Sequence, residues 1–521
     1  MFENENTLGR LKAEGKEDDF HVNYEDAVEE LKKQPTSTYP MIIGGSEVFA
    51  EGTFDDISPS DLNRVIGRFQ KGTRADAKKA IGAARKAFEY WSQTRYDQRV
   101  AIYRKAATFM SISKFKLAAK MSFENGKNRF EAVADVDEAI DFLRYYAEQL
   151  DMNKGFEIET GKLAPNEHTK SILKPYGVWS VIAPFNFPLA IATGMSVGAS
   201  IVGNTIVLKP ASDTPLLSYE LCMIMERAGL PDGVFNFVTG PGSTVGAELI
   251  ENPDVDGVVF TGSWDVGSKS LAEFEKTMPR PFIAEMGGKN ATIVSANADL
   301  DKAAEGVMRG AFGYGGQKCS ACSRVYVQEK VKDEFVKKLI QLTAQLKVGD
   351  PTSRENFLGP LINEIAFKNF LSYVEDAKSG AKITYGGHAL KDERLNGYFV
   401  EPTIVTDILG DHKLVKTELF VPLLTIETFK TLEEAIIRVN AVDYGLTSGI
   451  FSKQKGEIDQ FFNKVKAGVL YANRISGSTT GAMVGVQTFV GWKRSGSSGK
   501  GTGGSYYLQQ FLREQSQTSY D

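Results

Sequence analysis

The stretch GVWSVIAP, residues 177–184, begins a regular alternation of strand and helix patterns that decides the fold. Short runs rich in β-branched or aromatic residues recur after it, as TIVLKP, VFNFV and GVVFT (residues 205–210, 234–238 and 257–261). The segments between them have helical periodicity. In residues 214–228, for example, Pro215 suits the first turn of a helix and Gly229 its end. Strands separated by helices indicate a parallel sheet with helices on both faces, and therefore an α/β protein.

A second series of the same kind follows, with strands predicted at ATIVS, RVYVQ and GYFVEPTIV (residues 291–295, 324–328 and 397–405). Residues 74–150 are predicted to be mainly helical, and residues 155–174 to form a projecting strand pair. A tail strand is predicted near residues 503–513, after a Gly/Ser-rich stretch. The acidic first 35 residues are predicted to be a solvated arm with one short helix, around residues 24–33.

Length and composition exclude several classes of protein. The 521 residues suggest two or three domains, and 42% hydrophobic residues suffice for sizeable cores. The net charge of −5 gives no general attraction to nucleic acid or anionic membranes. Residues 175–208 carry no charge, but Pro184 and Pro188 interrupt them, which favours buried strand and helix over a membrane span. Only three cysteines fit a reducing compartment, so we expect a cytoplasmic protein.

The motif GYGGQKCSACS, residues 313–323, contains two cysteines with C-x-x-C spacing. A zinc site needs about four ligands, and the chain has no second cysteine pair and only four scattered histidines, so no metal is expected. A redox pair would begin a helix in a small βαβ module, unlike this glycine-rich segment. We favour one nucleophile, Cys319, because the glycines admit backbone N–H groups and Lys318 adds positive charge, which stabilise a thiolate. Cys322 and Cys222 are interpreted as core residues.

A nucleophile needs partners, and two residues at predicted strand ends are candidates. Glu285 stands in FIAEMGGKN between an apolar run and two glycines, which is typical of a cleft rather than an exposed surface. Asn186 stands in APFNFP between aromatic residues, where its amide can stabilise an oxyanion. Taken singly, each has an ordinary alternative as a surface or structural residue.

Six motifs together resemble the aldehyde dehydrogenase superfamily in order and spacing, from about Pro40 to the C-terminus: APFNFP, LKPASDTP, FTGSWDVG, AEMGGKN, GGQKCS and ELFVPLL. The resemblance implies two doubly wound parallel-sheet domains and a small β oligomerisation element. The implied division is an N-terminal arm (1–35), an NAD(P)-binding Rossmann-like domain (36–152 and 176–284), a catalytic domain with the nucleophile (285–475), and an oligomerisation hairpin and tail (153–175 and 500–521).

The resemblance also implies roles for individual residues. Cys319 would attack the aldehyde carbon, Asn186 would hold the oxyanion, and Glu285 would activate the water that hydrolyses the thioester. Cofactor contacts would come from Ile182, Ala183, Phe185, Lys209, Ser212, Gly262, Ser263, Glu418 and Phe420. NAD-selective members often carry Glu at the position of Ser212, so NAD is expected and NADP is left open.

Two stretches, GGQKCSACSR and TTGAMVGVQTF, resemble the 1-pyrroline-5-carboxylate dehydrogenase branch of the superfamily. That branch implies NAD(P)-dependent oxidation of L-glutamate 5-semialdehyde to L-glutamate, in proline or arginine catabolism. The residues implied to bind the substrate are Phe187, Lys318, Ser320, Gly481, Ala482 and Phe489. The alternative is another aldehyde dehydrogenase, acting on succinate-semialdehyde-like or general aliphatic aldehydes.

Two other classes of protein stay open, a cysteine hydrolase or acyltransferase and a binding protein on an enzyme fold. The joint presence of the cofactor residues Lys209, Ser263, Glu418 and Phe420 disfavours both. A projecting strand pair has an exposed sheet edge that another subunit can cover, so we expect a homo-oligomer, whether dimer, tetramer or hexamer. The other expected partner is a small aldehyde, with neither nucleic acid nor membrane.

Overall fold

The computed structural model describes residues 2–390, 395–475 and 483–521. A first seven-stranded sheet contains five parallel strands, in the spatial order Phe282–Glu285, Gly257–Thr261, Val178–Ile182, Thr205–Lys209 and Phe235–Phe237. An antiparallel pair, Met41–Ile43 and Ser46–Val48, completes it. The central strand Thr205–Lys209 is buried along its whole length, as expected for a parallel strand covered on both faces.

A second seven-stranded sheet contains six parallel strands and one antiparallel edge strand. Its order is Lys382–Tyr385 (the antiparallel edge), Thr403–Thr406, Leu423–Phe429, Cys322–Gln328, Asn290–Val294, Thr447–Phe451 and Val469–Ala472. The loop with the C-x-x-C motif therefore leads directly into a central strand of this sheet.

Helices surround both sheets. Those in the first 285 residues are Thr7–Ala13, Glu17–Lys32, Arg74–Trp91, Tyr96–Ile112, Lys114–Asn125, Arg129–Met152, Ala190–Ser200, Leu216–Ala228, Ala247–Glu251 and Trp264–Phe274. Those that follow are Leu300–Phe312, Lys332–Thr343, Glu364–Gly380, Lys413–Lys416, Leu432–Asn440 and Lys455–Lys464. The predicted helix at 214–228 begins two residues late, and Gly229 ends it in a left-handed conformation (φ 94°), as its sequence predicts.

Three smaller sheets complete the fold. Two of them, Ser37–Tyr39 with Val65–Gln70 and Thr53–Ile57, and Tyr444–Gly445 with Trp492–Lys493, lie against the body. The third contains the predicted hairpin, Glu157–Glu159 and Glu167–Pro175, and the tail strand Leu512–Tyr520. The tail strand pairs with Glu167–Pro175 of its own chain, and it begins later than predicted because a 3-10 turn, Leu508–Phe511, precedes it.

The prediction of a solvated N-terminal arm is wrong. The first 35 residues contain two helices rather than one, and both Phe20 and Tyr24 on the second are fully buried. The Tyr24 hydroxyl hydrogen-bonds to Ser122 (2.6 Å), within the helix Lys114–Asn125. The second helix has one apolar face, which the many acidic residues of this segment obscured in the sequence.

The α/β architecture with two doubly wound sheets and a small β element is confirmed. The strands of the first sheet come from residues 41–285 and those of the second from residues 290–472. The finer domain division stays a prediction. Among the helices of the described residues, none is long and apolar enough to cross a membrane.

Candidate active site

The ends of four parallel strands in the first sheet align to form one edge of the site. In the strand register Ile182 lies opposite Lys209, Phe260 lies opposite Ile182, and Thr261 lies opposite Glu285. Ligands of open α/β sheets bind beyond the carboxyl ends of the strands. The register therefore brings the predicted cofactor residue Lys209 and the predicted base Glu285 to the same edge.

The loop that carries Cys319 begins with a tight turn, Gly313–Gly316. Tyr314 and Gly315 adopt left-handed conformations (φ 50° and 61°), and Gly316 follows them (φ 68°). A Cβ atom on Gly316 would lie 2.6 Å from the carbonyl oxygen of Val421, so only glycine fits there. The turn leads to Cys319, which is half-buried.

Asn290 holds this loop in place. Its Nδ2 donates hydrogen bonds to the carbonyl oxygens of Cys319 (2.7 Å) and Ala321 (2.9 Å), while its Oδ1 accepts one from the backbone N–H of Thr447 (3.0 Å). A Cβ atom on Gly288 would collide with the Cys319 carbonyl. Sequence reasoning missed this positioning role, although GGKN directly after a predicted strand end was a usable signal.

The Cys319 thiol differs from the prediction of a stabilised thiolate. Burial raises its pKa well above the ordinary value, and the carboxyl groups of Glu418 and Glu285 add to the shift. The backbone N–H groups of Ser320 and Cys319 oppose it, as expected of this loop. The expectation that Lys318 supplies the positive charge is wrong, because its Nζ forms an ion pair with Glu131 (2.7 Å) instead. A base must therefore take the thiol proton.

Asn186 is buried beside the nucleophile loop. Its Nδ2 donates a hydrogen bond to the carbonyl oxygen of Gln317 (3.1 Å), two residues before Cys319. The side chain of Gln317 is itself fixed, since its Oε1 accepts from the backbone N–H of Ile362 (2.8 Å). An amide has two N–H donors, so Asn186 can bind Gln317 and an oxyanion at the same time.

Two glutamates lie near the thiol of Cys319. Glu285 ends its strand, and burial raises the pKa of its carboxyl group well above the usual range, although the Gly491 N–H opposes the shift. Its Oε2 is buried without a hydrogen-bond partner among the described residues. Burial likewise raises the pKa of Glu418 to about 7, while its Oε1 accepts a hydrogen bond from Gly288 (2.8 Å). A buried carboxyl group with a raised pKa and an oxygen atom that accepts no hydrogen bond from the described residues is suited to act as a general base.

The predicted cofactor residue Lys209 ends the strand Thr205–Lys209. Its side chain is almost fully buried, and its Nζ donates to the Pro210 carbonyl (3.0 Å). Burial lowers its pKa to about 8. An ammonium group in such an apolar environment favours a ligand rich in oxygen atoms, such as a ribose.

The remaining predicted cofactor residues lie on several segments of the chain. Ser263 caps the helix Trp264–Phe274 by accepting a hydrogen bond from Val266 (3.4 Å), and a Cβ atom on the preceding Gly262 would lie 2.5 Å from the Phe260 ring. Phe420, at a positive φ of 58°, packs edge-on against Phe185 (5.7 Å). Ala183 donates its backbone N–H to Lys209, whereas Ser212 is exposed to solvent.

A cavity of about 100 Å³ connects the predicted nucleophile, the predicted base and several of the predicted substrate residues. Its wall is mostly apolar, and the predicted residues among its lining are Cys319, Glu285, Ser320, Phe187 and Phe489. Lys318 is not among the lining residues of the described chain, because it is paired with Glu131. The predicted substrate residues Gly481 and Ala482 lie outside the described residues.

Glu138 also lines this cavity, and sequence reasoning missed it. It lies on the long helix Arg129–Met152, far before Cys319 in the chain, and no local motif marks it. Burial, with Asp135 nearby, raises its pKa to about 8. A carboxyl group in a mostly apolar pocket can bind the ammonium group of an amino-acid substrate.

The competing interpretations of the cysteine pair receive no structural support. All three cysteines are free thiols, and Cys222 and Cys322 are buried as predicted. Cys322 contacts the Thr292 hydroxyl (3.2 Å) inside the core of the second sheet. Within the described chain, no group of three His, Cys, Asp or Glu residues is arranged to hold a metal ion.

The fold and the site together define an aldehyde dehydrogenase. The model of the aldehyde dehydrogenase family matches residues 48–516, and the chain belongs to that family. Its relatives include two bacterial proteins named 1-pyrroline-5-carboxylate dehydrogenase. The one from Geobacillus sp. (strain WCH70) is 37% identical over 93% of this chain and 94% of its own length, and the one from Halalkalibacterium halodurans is 37% identical over 93% of each.

Several solved structures are also similar to this chain. The 1-pyrroline-5-carboxylate dehydrogenase from Thermus with bound NAD matches with a TM-score of 0.93 and 35% identity, over 100% of this chain and 99% of that one. Proline utilization A from Bdellovibrio bacteriovorus matches with a TM-score of 0.94 and 34% identity, over 100% of this chain and 53% of that one. A betaine aldehyde dehydrogenase from Staphylococcus aureus in complex with NAD+ matches at 0.89 and 31%, over 96% and 97%.

Proposed function

We propose that this chain oxidises L-glutamate 5-semialdehyde, formed by hydrolysis of 1-pyrroline-5-carboxylate, to L-glutamate with NAD as the cofactor. One observation carries the proposal. Glu138 and Ser320, two polar groups suited to an amino-acid substrate, line the same cavity as the nucleophile Cys319 and the base Glu285. Relatives and a solved structure bearing the 1-pyrroline-5-carboxylate dehydrogenase name, at 35–37% identity over more than nine-tenths of the chain, support it.

The reaction begins on Cys319. After a base takes the thiol proton, the sulfur attacks the aldehyde carbon, and the carbonyl π electrons move to oxygen as the C–S bond forms. The Asn186 amide and the Cys319 backbone N–H donate to that oxygen. Such donors act strongly here because the site is buried and they are already oriented.

The residues of the cofactor edge fit a dinucleotide. Lys209 offers a buried ammonium group, which donates to the Pro210 carbonyl, and Ser263 begins a helix whose N-terminal N–H groups can bind phosphate. Glu418 and Phe420 would hold the nicotinamide ribose at the Cys319 end. The bound nicotinamide supplies the hydride acceptor that the protein's own side chains lack.

Glu285 completes the reaction by hydrolysing the thioester on Cys319. Its carboxylate takes a proton from water, the resulting hydroxide attacks the thioester carbon, and the C–S bond breaks to release the acid and the thiolate. The raised pKa of Glu285 gives its carboxylate a stronger affinity for that proton than an exposed glutamate has.

The substrate's head group would be held at the other end of the cavity. Glu138 would bind the ammonium group and Ser320 the carboxylate, while Phe187 and Phe489 would enclose the aliphatic chain. Phe187 is held by the ammonium group of Lys127, which lies 3.5 Å over its ring and forms a buried ion pair with Asp135 (2.5 Å). That cation–π contact fixes one wall of the pocket.

Assembly into a homo-oligomer in the cytoplasm is the further part of the proposal. The small sheet of Glu157–Glu159, Glu167–Pro175 and Leu512–Tyr520 exposes Ile158 (62%), and the loop between its first two strands exposes Leu163 (97%); an assembled partner would cover both. Three free thiols fit a reducing compartment.

Steady-state formation of reduced nicotinamide tests the proposed function directly. We expect a higher kcat/KM with 1-pyrroline-5-carboxylate than with succinate semialdehyde or propanal, and with NAD than with NADP. A preference for propanal would contradict the assignment of the substrate, whereas hydrolysis of esters without any reduction of the cofactor would indicate a hydrolase.

A further inference from the structure

The first residues of the chain dock along the helix Arg129–Met152 rather than extending into solvent. We call residues 2–7 the N-terminal clip. Three carboxylates on one face of that helix accept its backbone N–H groups: Asp137 from Thr7 (2.7 Å), Asp141 from Glu5 (2.8 Å) and Glu148 from Phe2 (3.0 Å). Spacings of four and seven residues place these carboxylates on the same side of a helix. The clip therefore follows the helix over about three turns.

The clip is fixed at its centre by Glu5. This side chain is buried, and its carboxylate forms ion pairs with Lys114 and Arg144 and accepts a hydrogen bond from the Ser111 hydroxyl (3.1 Å). The two basic residues hold the pKa of Glu5 down to about 2, against the effect of burial. A buried carboxylate with several partners fixes the backbone on either side of it.

Asn4 connects the helix to a second part of the molecule. Its Nδ2 donates hydrogen bonds to Asp141 Oδ2 (2.8 Å) and to the carbonyl oxygen of Val484 (3.0 Å). Both bonds use the same amide nitrogen, whose two N–H groups point in fixed directions. Asn4 therefore sets the distance between the helix and the backbone at Val484.

Phe2 continues this contact at the next residue. Gly485 has a positive φ of 73°, and a Cβ atom there would lie 3.0 Å from the Phe2 ring and 3.1 Å from the Tyr145 ring. The two rings pack edge to face, with their centres 5.1 Å apart. The clip and the helix thus enclose the backbone of Val484 and Gly485 from one side.

Both parts joined by Asn4 carry walls of the aldehyde cavity. Val484 lines it directly, and Glu138, which also lines it, lies three residues before Asp141 on the helix. We propose that Asn4 is a positioning residue for the substrate, which fixes the wall at Val484 relative to Glu138 and so sets the affinity for an amino-acid aldehyde. This rests on the proposed function, because there Glu138 binds the substrate's ammonium group.

The expected effect follows from where Asn4 acts. It does not line the cavity, so its loss leaves the attack by Cys319 intact and weakens binding of the substrate and the transition state alike. We expect Asn4→Ala to raise the KM for 1-pyrroline-5-carboxylate about tenfold, with kcat changed by less than about twofold. Propanal has no ammonium group, so its KM should stay the same.

Thr7→Ala is the matched control. It removes a hydroxyl that donates to Asp137 (2.7 Å) and accepts from Lys114 at the other end of the clip, and neither bond reaches the backbone at Val484. Because Thr7 is buried, we expect this variant to lower the melting temperature while both KM values stay at the wild-type level. If Asn4→Ala melts early, the near-isosteric Asn4→Leu removes the same two bonds with less loss of packing, and it should show the same change in KM.

The experiment measures kcat and KM for both substrates in wild type, the Asn4 variants and Thr7→Ala, together with melting curves. An Asn4 variant with an unchanged KM for 1-pyrroline-5-carboxylate overturns the proposal, as does an equal rise in the KM for propanal. A wild-type enzyme that does not prefer 1-pyrroline-5-carboxylate overturns the proposed function instead, so the two failures are distinguishable.

Discussion

The two sides of the active site are built in different ways. The cofactor side consists of strand ends in register, with Lys209 and Ile182 on adjacent parallel strands and Glu285 two strands beyond Ile182 in the same sheet. The substrate side is assembled from a long helix, the loop of Cys319 and the backbone near Val484, which are distant in the sequence, and the N-terminal clip contacts the first and the last of these. Pairing between strands holds the residues of the cofactor side in place, whereas packing between distant segments holds those of the substrate side. Substitutions on the two sides should therefore have different effects.

Cys319, between the two sides, should show the largest effect. Cys319→Ala removes the only proposed nucleophile, so we expect kcat to fall on the order of 10⁶-fold, as when a covalent catalyst loses its nucleophile. Cys322→Ala, the matched control from the same motif, should retain activity and lose about 1 kcal/mol of stability, since Cys322 is a buried core residue. Turnover and denaturant unfolding measure both, and an equally inactive Cys322→Ala would restore the redox-pair interpretation.

Asn186 should give the next largest effect. Asn186→Ala removes one proposed oxyanion donor, which typically costs about 100- to 1,000-fold in kcat. The KM for NAD should change little, because Asn186 contacts the nucleophile loop through Gln317. A rise in the KM for NAD without any loss of kcat would move Asn186 from the chemistry to the cofactor.

Substitutions of two lysines compare the cofactor side with the substrate side directly. Lys209→Met removes a buried ammonium group from the cofactor edge, and we expect the KM for NAD to rise about tenfold or more, since a hydrogen bond from a charged group is lost. Lys318→Met breaks the ion pair with Glu131 on the substrate side, so it should leave the KM for NAD unchanged. Equal effects of the two substitutions on the KM for NAD would contradict the division into two sides.

The smallest expected effect is the dependence of the rate of thioester hydrolysis on pH. Glu285 must be ionised to act as a base, and burial raises its pKa above the ordinary value. The rate of thioester hydrolysis should therefore increase as pH rises through that raised pKa and decrease as pH falls below it. Single-turnover hydrolysis followed across pH measures this, and a profile that is flat from acid to alkaline pH would argue against Glu285.

The contrast between the two sides also explains which residues the sequence could predict. Strand runs such as TIVLKP and FIAE show where each strand ends, so the amino-acid pattern places Lys209 and Glu285 at strand ends, whereas their roles were expected from the family resemblance. Asn290 had one usable signal, the GGKN that follows a strand end, but nothing nearby in the sequence identifies the partners of Asn290, Asn4 or Glu138. The partners of the two asparagines lie 29 to 480 residues away. The error over Lys318 has the same cause, because Glu131 lies 187 residues from it in the chain.

The most direct test of the covalent mechanism uses Glu285→Gln. This variant keeps the nucleophile and the cofactor edge but lacks the base for hydrolysis, so it should form about one reduced cofactor per active site and then stop. Mass spectrometry should find the acyl group on the peptide that contains Cys319. Normal steady-state turnover by this variant, with no adduct on Cys319, would contradict the account.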